Sequence, residues 1–170
     1  MKTSDNGITL LKQLEGCVKI GNKHVIYDDQ TGKPVKLNEP LPRGATIGYG
    51  HLIKPGEDFK NGITEEQATE LLRADVATAE RAVQNNIVVS LTQNQYDALV
   101  IFTYNIGIKN FADSTVLKYV NNRNFFSTRY STLESAWMAW NKSCDREMSG
   151  LTKRRKAEYK LFTNSGIWGN

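Results

Sequence analysis

Thr46-Ile47-Gly48-Tyr49-Gly50-His51 is the stretch on which the fold of this 170-residue chain turns. Two glycines bracketing a tyrosine in a strand-like run mark a bend or a close backbone approach. Thr46 supplies a hydroxyl that can accept from a water while donating elsewhere. On the residues alone, the same string also fits a tight β-corner.

Upstream of it, residues 16 to 52 carry the strand formers Val18, Ile20, Val25, Ile26 and Tyr27. These are punctuated by turn chemistry at Gly21-Asn22, Asp28-Asp29-Gln30-Thr31-Gly32 and Pro40-Leu41-Pro42-Arg43-Gly44. The pattern predicts a small, irregular antiparallel sheet of two to four strands. Before it, Ile8, Leu11 and Leu14 recur at helical spacing from about Ser4, with Ser4 or Asp5 as N-cap, and Glu15-Gly16 ends the helix.

Downstream the signals are helical. Thr64-Glu65-Glu66-Gln67 reads as a capping box, followed by Ala68, Leu71, Leu72, Val76, Ala79 and Val83 on one face. Thr92-Gln93-Asn94-Gln95 is a second box, opening a helix that should stop near Ile106 with Gly107 as its cap. Shorter helices are expected around 114–122 and 132–141, and a last one from near Leu151. Trp137 and Trp140, three apart, fit one face of a core helix. The expected architecture is α+β in one domain over 1–170, with a β-lobe at about 16–60. A helical lobe spans about 61–170, joined by the N-terminal helix 4–14, with a cleft between the lobes.

Composition narrows the function. Hydrophobic content of 39% and charged content of 24% are ordinary for a folded domain. The net charge of +4 is mild; it suits an anionic partner or simple solubility. The run Lys153-Arg154-Arg155-Lys156 reads as a solvated helix face, and nucleic acid is not an expected partner. Cys17 and Cys144 form no framework, and with His24 and His51 the only histidines no metal site or cofactor is expected. The start Met1-Lys2-Thr3-Ser4-Asp5 lacks an apolar core of the signal-peptide kind, and no window is apolar enough to anchor in a membrane.

Two groups could carry acid–base chemistry. Glu15 stands where the first helix meets the β-lobe; a carboxyl group partly desolvated at such a junction is favoured in its protonated form, as a general acid requires. A glutamate at a helix end is nonetheless more often a solvated surface residue. Of Asp28 and Asp29, adjacent before a glycine turn, only one can face Glu15 if the strand alternation holds.

In order along the chain, Leu14-Glu15-Gly16, Tyr27-x-Asp29-x-x-Gly32 and Thr46-Ile47-Gly48-Tyr49-Gly50-His51 resemble the phage-type lysozymes (endolysins), glycoside hydrolase family 24. The likeness continues through Leu91-Thr92-Gln93-Asn94-Gln95-Tyr96-Asp97-Ala98-Leu99, Tyr104-Asn105-Ile106-Gly107 and Gly150-Leu151-x-x-Arg154-Arg155-x-x-Glu158. The resemblance implies a lysozyme-like fold and a peptidoglycan muramidase cutting the N-acetylmuramic acid to N-acetylglucosamine linkage. Glu15 would be the catalytic acid, Asp29 the second carboxylate and Thr46 the hydroxyl beside the attacking water. Leu52, Tyr104 and Asn105 would contact substrate. His51 is expected to form a structural ion pair with Asp75 on the capped helix.

The chain departs from the family in spacing: fourteen positions separate Glu15 from Asp29, and seventeen separate Asp29 from Thr46. The extra residues fall near Gly21-Asn22-Lys23-His24 and from Lys33 to Ala45, which leaves Asp28 as the alternative second carboxylate. A binding module with a lysozyme fold and a lytic transglycosylase remain as alternative functions. The chain would act as a monomer on the cell wall. It would be made in the bacterial cytoplasm without a signal peptide and then released or delivered, and it would meet an immunity or inhibitor protein if it serves as a secreted effector.

Overall fold

The computed structural model describes residues 1–36 and 40–164. The expected insertion from Lys33 to Ala45 therefore lies partly outside the described residues, at 37–39. The elements run α1 (Asp5–Glu15), β1 (Lys19–Ile20), β2 (Lys23–His24), β3 (Tyr27–Asp28), β4 (Lys33–Pro34), β5 (Ala45–Ile47) and β6 (His51–Leu52). Then follow α2 (Glu65–Asn86), α3 (Gln93–Ile106), α4 (Ile108–Asp113), α5 (Thr115–Asn121) and α6 (Leu133–Met138), and finally β7 (Lys142–Ser143), β8 (Arg146–Glu147) and α7 (Ser149–Thr163). This is the α+β, lysozyme-like arrangement, with an N-terminal helix, small antiparallel sheets and a mostly helical remainder.

The chain divides into two compact units, and the division passes through α1 and α2. One unit comprises Ile8–Val76. In it β1 and β2 form a two-stranded ladder, and β4-β3-β5-β6 form the second sheet, with Tyr27 opposite Thr46 and Ile47 opposite His51. An isolated bridge joins His24 to Ile63. The strands are only two or three residues long, so the ladders alone would be marginal. The apolar floor beneath them, with Ile8, Leu11, Ile26, Ile47, Ala68 and Leu72 buried, supplies the stabilisation. Gly48, at φ 63°, leaves room for Ala68: a Cβ there would sit 3.3 Å from the alanine methyl.

The other unit is residues 1–7 with those from 77 onward. Helix α3 packs on α7 around Phe102, Trp137 and Phe162, whose rings lie 4.8 and 5.3 Å from the central indole. Trp137 is fully buried, whereas Trp140 lies beyond the end of α6 and meets Phe102 edge-on at 6.1 Å. Both capping boxes form. The Gln67 amide hydrogen goes to Thr64 Oγ1, and Gln95 both donates to and accepts from Thr92. Helix α3 stops at Gly107, which sits at φ 91° and donates to Thr103. The same glycine opens α4, a helix that the sequence pattern did not suggest.

The basic run differs from expectation. Lys153 and Lys156 face solvent, but Arg154 and Arg155 are buried. Their guanidinium groups converge on the buried Glu158, which also accepts from the Trp137 indole at 3.0 Å. A buried carboxylate would be costly without such donors, and two arginines one helical turn away provide them. The residues of the run are thus divided between water and core by helical phase, not by charge. Cys17 and Cys144 are both free thiols and exposed. Cys144 and Asp145, at φ 48° and 61°, form the two-residue turn of the β7–β8 hairpin.

Candidate active site

The α1 terminus delivers the first candidate. Glu15 is the last helical residue, and Gly16, at φ 68°, donates back to Lys12 and turns the chain away. Glu15 is half-buried and its Oε1 is shielded from solvent. Beside it lies the glycine-bracketed corner: a Cβ on Gly50, at φ 89°, would stand 3.6 Å from Glu15 Oε2. Gly50 therefore neighbours the Glu15 carboxylate, with room for a side-chain carbon at ordinary contact distance.

Tyr27 links this carboxyl group to the sheet. Its phenol is pushed above its ordinary range by burial first, then by the charges of Asp29 and Glu15, while the Gly50 amide offsets part of the effect. Both carboxylates thus act on one buried phenol through their charge. Asp28 ends β3, and its carboxylate accepts from the Gln30 amide at 2.9 Å, the turn-forming use of an aspartate. Asp29 begins the turn and is exposed. Its amide and the Thr46 hydroxyl both donate to the Gly44 carbonyl, at 3.5 and 2.8 Å. Thr46 is buried, with its hydroxyl lone pairs left to accept. Across the β5–β6 ladder from it stands Leu52, 57% exposed.

His51 is buried, with Nδ1 2.8 Å from Asp75 and Nε2 3.1 Å from Glu57. The sequence reading did not include Glu57, six residues away in an irregular segment without periodicity. Its carboxylate is held below the usual range: the Lys54 amide is the largest cause, and His51 adds to it against desolvation. In the helical unit Tyr104 is half-buried near the end of α3, and Asn105 accepts from the buried Arg155.

Sequence reasoning missed one further residue, Glu65. It appeared only as the second member of a capping box, yet its carboxylate collects Lys12, Lys19, His24 and Tyr49 at 2.6 to 2.9 Å. Its donors lie 16 to 53 positions away along the chain, beyond any local pattern. Among the described residues, no group of three or more His, Cys, Asp and Glu could hold a metal ion. No described helix is long and apolar enough to cross a membrane.

Fold and site together define a lysozyme-like protein, and comparison with known proteins places the chain more narrowly. A family model described as phage lysozyme matches residues 12–158, and this chain belongs to the phage lysozyme family. The endolysin of Salmonella phage P22 is 37% identical over 165 residues, covering 95% of this chain and 98% of that protein. The endolysin of Bacillus phage PZA is also 37% identical, over 98% of this chain but 56% of its own length, so the chain spans about half of that relative. Among solved structures, the muramidase domain of SpmX from Asticaccaulis excentricus superimposes with a TM-score of 0.71 at 32% identity, covering 95% of this chain and 97% of that one.

Proposed function

We propose that this chain is a muramidase that hydrolyses the N-acetylmuramic acid to N-acetylglucosamine β-1,4 linkage of peptidoglycan, with inversion. The observation that carries the reading is the placing of Glu15 at the end of α1 beside the Gly50 corner, where a Cβ on Gly50 would stand 3.6 Å from Glu15 Oε2, with the charges of Asp29 and Glu15 both acting on the buried Tyr27 phenol. Glu15 donates a proton to the leaving sugar oxygen. Asp29 draws a proton from a water that Thr46 helps to hold, and that water attacks the anomeric carbon from the opposite face. An inverting enzyme needs about 6.5–9.5 Å between its carboxyl groups to admit that water.

Two features support Asp29 over Asp28. The Asp28 carboxylate accepts from the Gln30 amide in its own turn, whereas the Asp29 backbone amide shares the Gly44 carbonyl with the Thr46 hydroxyl, which sets Asp29 beside Thr46. Leu52, Tyr104 and Asn105 are the proposed substrate contacts, and the His51–Asp75 pair is structural. Peptidoglycan is the partner in this reading. In this reading the protein acts as a monomer after release or delivery, and its relatives named endolysin support the wall as its site of action.

Mass spectrometry of digested, purified peptidoglycan tests the reaction class. Hydrolysis leaves reducing N-acetylmuramic acid ends. Anhydro-muramic ends would make the protein a lytic transglycosylase, and binding without new ends would make it a wall-binding module.

A further inference from the structure

Among the described residues, four donors converge on the Glu65 carboxylate in the unit that holds Glu15. Oε1 accepts from Lys12 Nζ at 2.9 Å and Tyr49 Oη at 2.6 Å; Oε2 accepts from Lys19 Nζ and His24 Nε2, both at 2.8 Å. A carboxylate offers about four lone-pair sites, so these donors fill it. The group cannot rotate or shift without releasing at least one of them. Each donor comes from a different element: α1, β1, β2 and the Tyr49 corner. His24 is fully buried and meets the Tyr49 ring edge-on at 5.1 Å, and Lys12 lies 5.2 Å from the centre of the same ring. Lys12 is tied to Thr69 as well, at 2.6 Å.

Two of these arms lead to Glu15. Lys12 is one helical turn before it on the same face of α1, and its carbonyl accepts the Gly16 amide that ends the helix. Tyr49 is bonded in sequence to Gly50, where a Cβ would stand 3.6 Å from Glu15 Oε2. We propose that Glu65 is a positioning residue for Glu15: one carboxylate holds the last turn of α1 and the Tyr49–Gly50 corner in a single register around the acid. The inference rests on the reading of Glu15 given above. It does not make Glu65 a catalytic group, since Glu65 reaches Glu15 only through Lys12 and Tyr49.

The donors around Glu65 favour its ionised form. Desolvation alone would raise its pKa, but the hydrogen bonds from Lys19, Tyr49, His24 and Lys12 hold it well below the usual carboxylate range.

The test is steady-state kinetics of Glu65→Gln and Tyr49→Phe on soluble peptidoglycan fragments, expressed per folded molecule and measured well below each variant's melting temperature. Displacing a reacting group slightly costs turnover more than binding. Glu65→Gln should therefore lose about tenfold in kcat with KM changed less than about twofold. Tyr49→Phe removes one arm and should lose about threefold in kcat, again with KM kept. Thr92→Ala, which weakens a helix cap in the other unit, serves as a stability control and should keep kcat per folded molecule. If Glu65→Gln does not fold, Tyr49→Phe decides alone. Wild-type kcat per folded molecule in the folded variants, or a loss confined to KM, overturns the positioning role. That failure is distinguishable from failure of the Glu15 reading, which would show as undiminished turnover in Glu15→Gln.

Discussion

At the residue scale, the roles separate by what each polar atom is already bonded to. Asp28 and Asp29 are neighbours of the same type, and strand alternation alone could not choose between them. The structure distinguishes their surroundings: Asp28 caps its own turn, and Asp29 lies beside the Thr46 carbonyl partner. Asp29→Asn should therefore lower wall-clearing activity about a hundredfold or more, the usual scale for losing a positioned base. Asp28→Asn keeps an acceptor for the Gln30 amide and should stay near wild-type activity. Turbidity assays on purified walls check the pair, and the reverse ranking would move the second carboxylate to Asp28. Glu15 and the glycine-bracketed corner were legible because their order along the chain is distinctive. Glu65 was not, because its significance lies in four donors that only the folded chain brings together.

At the element scale, local chemistry decided where helices begin and end. Both capping boxes and the Gly107 stop fall where side chain and backbone pair within three or four residues. The β7–β8 hairpin was illegible for the converse reason: its turn residues, Cys144 and Asp145, adopt positive φ without the glycine that usually announces such a turn. The N-terminal residues show a third situation, in which tertiary contacts fasten an otherwise featureless segment. Thr3 donates its amide and hydroxyl to the buried Glu80, each at 2.8 Å, and Lys2 joins them at 2.9 Å. Ser4 caps α1 and donates to Asp97 through its amide and hydroxyl. Gly7 leaves the space this docking needs, since a Cβ there would come within 2.7 Å of the Asp97 carboxyl carbon.

Glu80 makes that fastening pH-dependent. Desolvation opposes its charge, but the Thr3 amide, Lys2 and the Thr3 hydroxyl outweigh it and lower its pKa in the folded state. A carboxylate depressed on folding contributes stability above its unfolded pKa of about 4.3 and loses it as pH falls below that value. Thermal melts of the wild type should therefore decline below about pH 5. Glu80→Gln should melt lower at neutral pH and decline less steeply in acid, so the two curves converge. Parallel curves would show that Glu80 contributes nothing through its charge. Some acid sensitivity should persist in the variant, because Glu65 and Glu57 are depressed in the same direction.

At the scale of the whole molecule, a mild positive charge and an ordinary composition said little about function, and the basic run misled because charge was read without helical phase. Arg154, Arg155 and Glu158 are core residues joined by hydrogen bonds from both guanidinium groups to one carboxylate oxygen. The family likeness spans both compact units, and the proposed acid, second carboxylate and water-holding threonine all come from the unit Ile8–Val76. The central claim is that Glu15 supplies the proton that breaks the glycosidic bond. The most direct measurement is the release of reducing ends from purified peptidoglycan by Glu15→Gln, with folding followed by thermal melting. Activity should fall at least about a thousandfold while the variant stays folded, because glutamine keeps the shape and lacks the proton. A folded Glu15→Gln that releases reducing ends at the wild-type rate would contradict it.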